Sequence, residues 1–110
     1  MDITTKEFTV QGQSKPTCKI ELSGEAKGGS SELLRAELDR LLGEPFEIIY
    51  LDVRGISDND LGFINEVIHM HYTLTQHHRQ LILLYRKGSD FETWINTSGI
   101  DKFIELAVTP

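Results

Sequence analysis

The chain has 110 residues, 39% of them hydrophobic and 25% charged, which predicts one soluble globular domain over residues 1–110. Eleven Lys and Arg against 17 Asp and Glu give a net charge of −6. This charge disfavours nucleic acid and anionic membranes, because both bind basic surfaces. One cysteine excludes an internal disulfide and a Cys-based zinc site. No apolar run is long enough for a membrane span and no signal peptide is visible, so we expect a cytoplasmic protein.

The N-terminal part has the pattern of a β-hairpin. Residues 2–10 are rich in β-forming side chains, and the polar segment 11–16, which contains Gly and Pro, indicates a turn. Residues 17–22 then alternate strictly between apolar and polar side chains. The two strands are predicted to pair, with Cys18 on the buried face.

A helix is predicted to follow the flexible segment 27–31 and to run to Leu42, because leucines recur there at helical spacing. One serine of the pair Ser30-Ser31 is predicted to be the N-cap. Gly43 ends the helix, and Pro45 prevents its continuation.

Two apolar runs, 46–53 and 81–85, have the length of central strands covered on both faces. The segment between them, from about Asp60 to His77, has the apolar periodicity of a helix. Strand, helix and strand at this spacing predict a right-handed βαβ unit.

The C-terminal part begins with a helix capped by Ser89 and Glu92 and ended by Gly99. Residues 103–106 are predicted to form a last short strand or a packed tail. The predicted order is β-β-α-β-α-β-α-β, an α/β fold with a mixed sheet of about four to five strands and three to four helices.

The sequence carries no signature of an enzyme or a cofactor site. It has no phosphate-binding glycine motif and no Gly-x-Ser-x-Gly, and a buried Cys18 is a poor nucleophile. His69 and His71 point to different sides of a helix, while His71 and His78 lie two turns apart. We therefore expect no metal site and no cofactor, and we interpret the histidines as surface and helix-capping residues.

The segment Ser57-Asp58-Asn59-Asp60 precedes the second predicted helix and is unusually polar. One of these side chains is enough to cap the helix. The others leave a second interpretation open, in which the segment is a loop that contacts a partner.

Three short motifs resemble those of STAS domains (sulfate transporter and anti-sigma factor antagonist). Residues 22–25 read Leu-Ser-Gly-Glu, residues 51–57 read Leu-Asp-Val-Arg-Gly-Ile-Ser, and residues 97–103 read Thr-Ser-Gly-Ile-Asp-Lys-Phe. Each is similar to a family motif, they occur in the family's order, and the resemblance as a whole spans roughly residues 18–106. The resemblance implies the STAS-like fold.

In the family, the second helix begins with Asp-Ser-Ser-Gly-Leu, and the second serine is phosphorylated by a partner kinase. The resemblance places the motif on Asp60, Leu61, Gly62 and Phe63, so Gly62 takes the phosphoserine position and has no hydroxyl. It implies a partner-binding surface on Ser57, Asp58, Asn59, Asp60, Leu61, Gly62 and Phe63. Asp58 and Asp60 would give that surface a permanent negative charge.

The resemblance implies a non-enzymatic interaction module of a bacterial partner-switching pathway, with a kinase-type anti-sigma factor as partner. The alternative is an accessory subunit that docks on a transporter ATPase through the acidic loop. A third hypothesis is acid–base or ligand-binding chemistry at Asp52, Asp58 and Asp60, near the ends of parallel strands.

Two apolar surfaces remain open to interpretation. The side of the second helix that carries Met70, His71 and Tyr72, with Phe63, is either an exposed patch or packed on the sheet. Many relatives also have a further C-terminal helix, and its absence would leave a hydrophobic edge for a homodimer.

Overall fold

The structure is a computed structural model that describes residues 1–9 and 11–110. It confirms the predicted order of elements. The predicted first strand, 2–10, is shorter in the structure, and Val10 lies outside the described residues. The elements are β1 (Asp2–Glu7), β2 (Thr17–Ala26), α1 (Ser30–Leu42), β3 (Ile48–Asn59), α2 (Leu61–Gln76), β4 (Gln80–Arg86), α3 (Asp90–Ser98), a 3₁₀ turn (Ile100–Lys102) and β5 (Glu105–Thr109).

The five strands form one mixed sheet in the order β1-β2-β3-β4-β5. β1 pairs antiparallel with β2, and the other neighbours are parallel. The three helical crossovers all step in the same direction along the sheet. Because such crossovers are right-handed, α1, α2 and α3 lie on the same face.

The core lies between that face and the helices. It contains the inward side chains of β2, β3 and β4 together with the apolar stripes of the helices, among them Ile20, Leu51, Leu83, Leu38, Phe63 and Ile95. On the opposite face, Ile48 and Ile82 are buried whereas Tyr50 and Leu84 are only half-buried, and all four lie outside this core cluster. The predicted cover on both faces is therefore only partial, because one-directional crossovers place the helices α1, α2 and α3 on one face.

β3 continues six residues beyond the predicted end at Val53. Asp58 and Asn59 pair with Glu25 and Ala26 of β2 after two register shifts. A Cβ atom at Gly55 would lie 2.6 Å from the carbonyl oxygen of Leu22, so only glycine fits this close approach. The segment predicted as a loop before α2 is therefore the end of a strand.

The predicted serine cap of α1 is also wrong. Gly29 is the N-cap and makes no side-chain bond, while the hydroxyl of Ser30, inside the helix, donates to the carbonyl of Lys27 at 2.8 Å. At the other end, the guanidinium of Arg79 donates to the carbonyls of Leu41 and Leu42 at 2.7 and 2.9 Å. Arg79, the residue before β4, therefore satisfies two terminal carbonyls of α1.

The C-terminal elements agree with the prediction, with one shift. Ser89 caps α3 by accepting from the amide of Glu92, and Gly99 ends the helix in the left-handed region at a φ of 75°. The last strand covers Glu105–Thr109 instead of 103–106. Within residues 1–9 and 11–110, no helix has the length and apolar character needed to cross a membrane.

Candidate functional site

Asp60 is the N-cap of α2. Its backbone is extended, and its carboxylate accepts a hydrogen bond from the amide of Phe63 at 2.9 Å. Its own amide donates to the carbonyl of Ala26 at 3.2 Å, which joins the helix start to the end of β2. The capping interpretation of the polar segment is confirmed for this residue.

Asp58 is held by two partners. Its carboxylate forms an ion pair with Lys27 and accepts from the amide of Asn59 at 2.8 Å. The hydrogen bond from Lys27 lowers the pKa of Asp58 below its ordinary value. Lys27 therefore offsets the negative charge of Asp58.

The seven predicted partner-binding residues divide between the surface and the interior. Ser57, Asp58, Leu61 and Gly62 are exposed, with Leu61 at 59%, and Asp60 is partly exposed. Asn59 is buried, and its side-chain nitrogen has no hydrogen-bond partner among the described residues.

Phe63 is fully buried and packs edge-on against Phe91 of α3, with 6.3 Å between the ring centroids. It is therefore not available to a partner. Met70 is also fully buried, so the interpretation of Phe63 and Met70 as part of an exposed patch is wrong. Phe63 lies on the same side of α2 as the buried residues Val67, Met70 and Leu74, so it faces the sheet.

Gly62 has ordinary helical geometry and needs no glycine for steric reasons. A Cβ atom there would lie 3.4 Å from a carboxylate oxygen of Asp60, at the limit of normal contact. A serine at this position is therefore sterically acceptable, so the missing hydroxyl is a chemical difference rather than a requirement of the backbone.

The carboxylates of Asp52, Asp58 and Asp60 do not converge. Asp52 is buried on the uncovered face of the sheet, where it accepts from Nε and Nη2 of Arg54 at 2.9 and 2.8 Å. Burial raises the pKa of Asp52, but the hydrogen bonds from Arg54 outweigh this effect and lower it overall. Each carboxylate therefore has a structural partner of its own.

A shallow cleft of about 330 Å³ lies beside this ion pair. The sequence pattern that predicted β3 did not predict this cleft. The polar residues of the cleft come from different strands, which meet only in the folded sheet. Its lining residues are Thr4, Glu21, Leu22, Ser23, Asp52, Arg54, Gly55 and Arg86.

Glu66 was not singled out from the sequence, yet it is the buried charge of α2. Its side chain is 5% exposed and accepts from Arg35 of α1 at 2.8 Å. The pair joins α1 and α2, with the guanidinium of Arg35 at the surface and the carboxylate of Glu66 inside. In the sequence, Glu66 resembles any polar residue of an amphipathic helix.

The histidines contact residues of the fold. His77 is the C-cap of α2, and His71 packs against the rings of Tyr72 and Phe103, with centroids 5.1 and 5.5 Å away. Burial lowers the pKa of His71. The described part of the chain contains no group of three or more His, Cys, Asp or Glu arranged to hold a metal ion.

An antiparallel strand pair followed by three parallel pairs, with three helices on one face, is the STAS-like fold of anti-sigma factor antagonists. The chain matches the structure of the anti-sigma factor antagonist SpoIIAA in its unphosphorylated form with a TM-score of 0.73 and 16% identity, over 99% of this chain and 90% of that one. It matches the structure of the phosphorylated form of SpoIIAA, described as a Bacillus cell fate determinant, with a TM-score of 0.71 and 19% identity. That match covers 96% of this chain and 91% of the other.

An anti-sigma factor antagonist from Mycobacterium paratuberculosis matches with a TM-score of 0.74 and 15% identity, over 96% of this chain and 85% of that one. No protein-family model matches the chain, and the search of curated proteins found no match. At these identities the likeness establishes the fold, as the sequence motifs predicted.

Proposed function

We propose that this protein is a non-enzymatic binding module of a bacterial signalling pathway, and that its partner docks on the exposed start of α2. The surface consists of Ser57, Asp58, Leu61 and Gly62, with Asp60 at its edge. The observation that carries the proposal is the exposure of Leu61, an apolar side chain directly beside a capped helix start. Exposed apolar groups rimmed by polar residues are typical of binding surfaces.

The surface lacks the serine that a kinase would modify in an antagonist with the usual motif. A phosphate there would add a charge of about −2 and interfere with docking. Here Gly62 has no hydroxyl. The carboxylate of Asp58 pairs with Lys27, and that of Asp60 accepts a hydrogen bond from the amide of Phe63. The protein therefore behaves as a switch fixed in one state, or as one controlled elsewhere.

The proposed partner is a kinase-type anti-sigma factor. The alternative, docking on a transporter ATPase, requires the acidic segment to attract a basic patch. The ion pair between Lys27 and Asp58 weakens that attraction, because it supplies a positive charge from the same chain.

A pull-down from lysate with mass spectrometry tests the site and the class of partner. We expect the wild-type chain to retain an ATP-binding anti-sigma factor and Leu61→Glu to lose it. Leu33→Glu is the matched control, because Leu33 is a leucine of α1 with a similar exposure of 50%. Recovery of an ATPase and a permease would favour the alternative, and equal binding by Leu61→Glu would contradict the site.

Intact-mass measurement after incubation with the recovered kinase and ATP tests the fixed state. We expect no phosphate on residues 57–63 of the wild type, and phosphate addition to Gly62→Ser. Stoichiometric phosphorylation of the wild-type segment would contradict the proposal.

A further inference from the structure

The cleft of about 330 Å³ beside Asp52 and Arg54 lies where the sheet is irregular. β3 has one residue more than β2 between the pairs Glu21–Asp52 and Ser23–Gly55, so a β-bulge lies at this point. Bulges redirect side chains and occur often beside functional sites. Because Gly55 has no side chain, the surface of the sheet is recessed here. The volume of the cleft lies at the lower end of the range for small-molecule sites.

Asp52 and Arg54 give the cleft a fixed base. Asp52 is 6% exposed, and its carboxylate accepts from the amide, Nε and Nη2 of Arg54 at 3.0, 2.9 and 2.8 Å. Both carboxylate oxygens therefore have a donor, and the bidentate contact with the guanidinium offsets their charge. Nη1 of Arg54 takes no part in this contact, so it is available as a donor to a ligand.

Arg86, at the end of β4, supplies a second guanidinium. It is exposed, and none of the ion pairs within residues 1–9 and 11–110 includes it. The N–H groups of an arginine match the paired oxygens of a carboxylate or a phosphoryl group. Thr4 and Ser23 also line the cleft and add two hydroxyls. Hydrogen-bond donors from three strands and the bulge therefore surround one small cavity.

Basic groups are in excess at this cleft, although the chain has a net charge of −6. The lining carboxylate of Glu21 pairs with both Lys6 and Lys19 at 3.4 Å. Four basic and two acidic side chains line the cleft or pair with a lining residue: Arg54, Arg86, Lys6, Lys19, Asp52 and Glu21. Asp2, opposite Ser23 in β1, adds a third acidic group and leaves the basic groups in excess. This balance favours an anionic ligand.

We propose that the cleft binds a small oxyanion, which is a carboxylate or a phosphoryl group of a small molecule. Arg86 forms the bidentate contact, and Nη1 of Arg54 donates from the base of the cleft. The hydroxyls of Thr4 and Ser23 donate from the side of β1 and β2. The cleft shares no residue with the surface at the start of α2, so this proposal does not depend on the proposed function.

NMR titration of the isotope-labelled full chain with inorganic phosphate or with acetate tests the site. Chloride keeps the ionic strength constant, so that general screening does not contribute. We expect saturable shifts at the amides of Ser23, Gly55 and Arg86, with a dissociation constant of about 1 mM, since few contacts hold an ion in a shallow cleft. The probe that binds more tightly identifies the class of oxyanion. Absence of saturation up to about 50 mM with both probes, or shifts confined to the start of α2, would overturn the proposal.

Variants of Arg86 distinguish a built site from general attraction of anions. Arg86→Met should raise the dissociation constant by about tenfold or more, because it removes the bidentate contact. Arg86→Lys keeps the charge but loses the planar guanidinium, and should still weaken binding by about threefold or more. The amide spectrum away from residue 86 shows whether each variant is folded.

Lys87→Met is the matched control, because it removes the same charge from the next residue, which is also exposed. It should change the dissociation constant by less than about twofold, since an exposed charge outside the cleft is screened. Equal weakening by Arg86→Met and Lys87→Met would overturn the proposal, as would unchanged binding by Arg86→Met. Unchanged binding by Arg86→Lys would assign the attraction to charge alone and contradict the bidentate contact.

Discussion

α1 and α2 lie on the same face of the sheet and bury similar apolar stripes, but their solvent sides differ. The exposed side of α1 carries Glu32, Arg35, Asp39 and Arg40. The exposed side of α2 has none of these residue types and presents Leu61 and Tyr72 instead. The two helices also begin differently, since α1 starts on Gly29 without a side-chain cap and α2 on Asp60 with one.

The difference shows that position in the fold does not decide the outer face of a helix. The apolar stripes of α1 and α2 both pack on the same sheet, because burial of apolar area is the main contribution to stability. The solvent-facing sides of the two helices do not pack on the sheet, so their residues are not constrained to be apolar. Charge on α1 is typical of a solvated face, and its absence on α2 is one of the observations that support the proposed binding surface.

The largest effect should come from the inner face of α2. Phe63→Ala removes a fully buried ring that packs against Phe91, and we expect a loss of about 3–5 kcal/mol. Leu33→Ala on the exposed side of α1 should change stability by about 0.5 kcal/mol or less. Urea unfolding measures both, and a loss below about 1 kcal/mol for Phe63→Ala would contradict its burial.

Substitutions at the starts of α1 and α2 should differ in their effect on the free energy of unfolding, but by a smaller amount. Asp60→Ala removes the side-chain cap of α2 and should cost about 1 kcal/mol. Ser31→Ala at the start of α1 serves as the control, because no serine caps that helix. Equal losses of stability in thermal or urea unfolding would show that the two helix starts are alike.

The strands that lead into the two helices should differ in their response to acid. Because the pKa of Asp52 in β3 lies below its ordinary value of 3.8, the unfolded chain takes up the proton first as the pH falls. The stabilisation from this carboxylate is therefore complete above that value and is lost as the pH falls through the folded pKa. Asp52→Asn should unfold with a weaker pH dependence in acid.

Two variants sharpen this measurement. Arg54→Met removes the side-chain hydrogen bonds that lower the pKa of Asp52 but keeps the hydrogen bond from the amide of residue 54 and the charge of Lys19. The pKa of Asp52 should therefore rise, and the loss of stability in acid should become smaller. Glu21→Gln in β2 is the control, since its ion pairs with Lys6 and Lys19 are partly exposed and contribute little. An unchanged acid response in Asp52→Asn would contradict the role of the ion pair.

The smallest effect on stability is expected on the outer faces. Leu33→Glu and Leu61→Glu should each change the free energy of unfolding by about 0.5 kcal/mol or less, because both side chains are at least half exposed. The two variants should therefore differ only in how well they bind the partner. A large loss of stability in Leu61→Glu would assign that leucine to the fold and not to an interface.

Local pattern in the sequence was sufficient for the element order and for the ends of α3, which are the cap at Ser89 and the stop at Gly99. These features depend on neighbours within a few residues along the chain, and periodicity and capping chemistry report such neighbours directly. The motif resemblance led to the STAS-like fold for the same reason, since its three segments are short and ordered along the chain.

Other features depended on residues that are distant in sequence. Asp58 and Asn59 extend β3 because β2 offers free partners at Glu25 and Ala26. Lys27 offsets the charge of Asp58, and Arg35 determines how Glu66 is buried. No local pattern contains these pairings.

The tertiary structure also decided which apolar residues face solvent. Phe63 and Leu61 are two residues apart in α2, yet one is fully buried and the other is 59% exposed. Which side of α2 meets the sheet depends on the direction of the crossovers, and the docking of Phe103 beside Tyr72 depends on the return of the chain from α3. The exposed apolar surface around Tyr72 and Phe103 is therefore a property of the assembled helices, because exposure is set by packing between segments that the linear sequence does not place together.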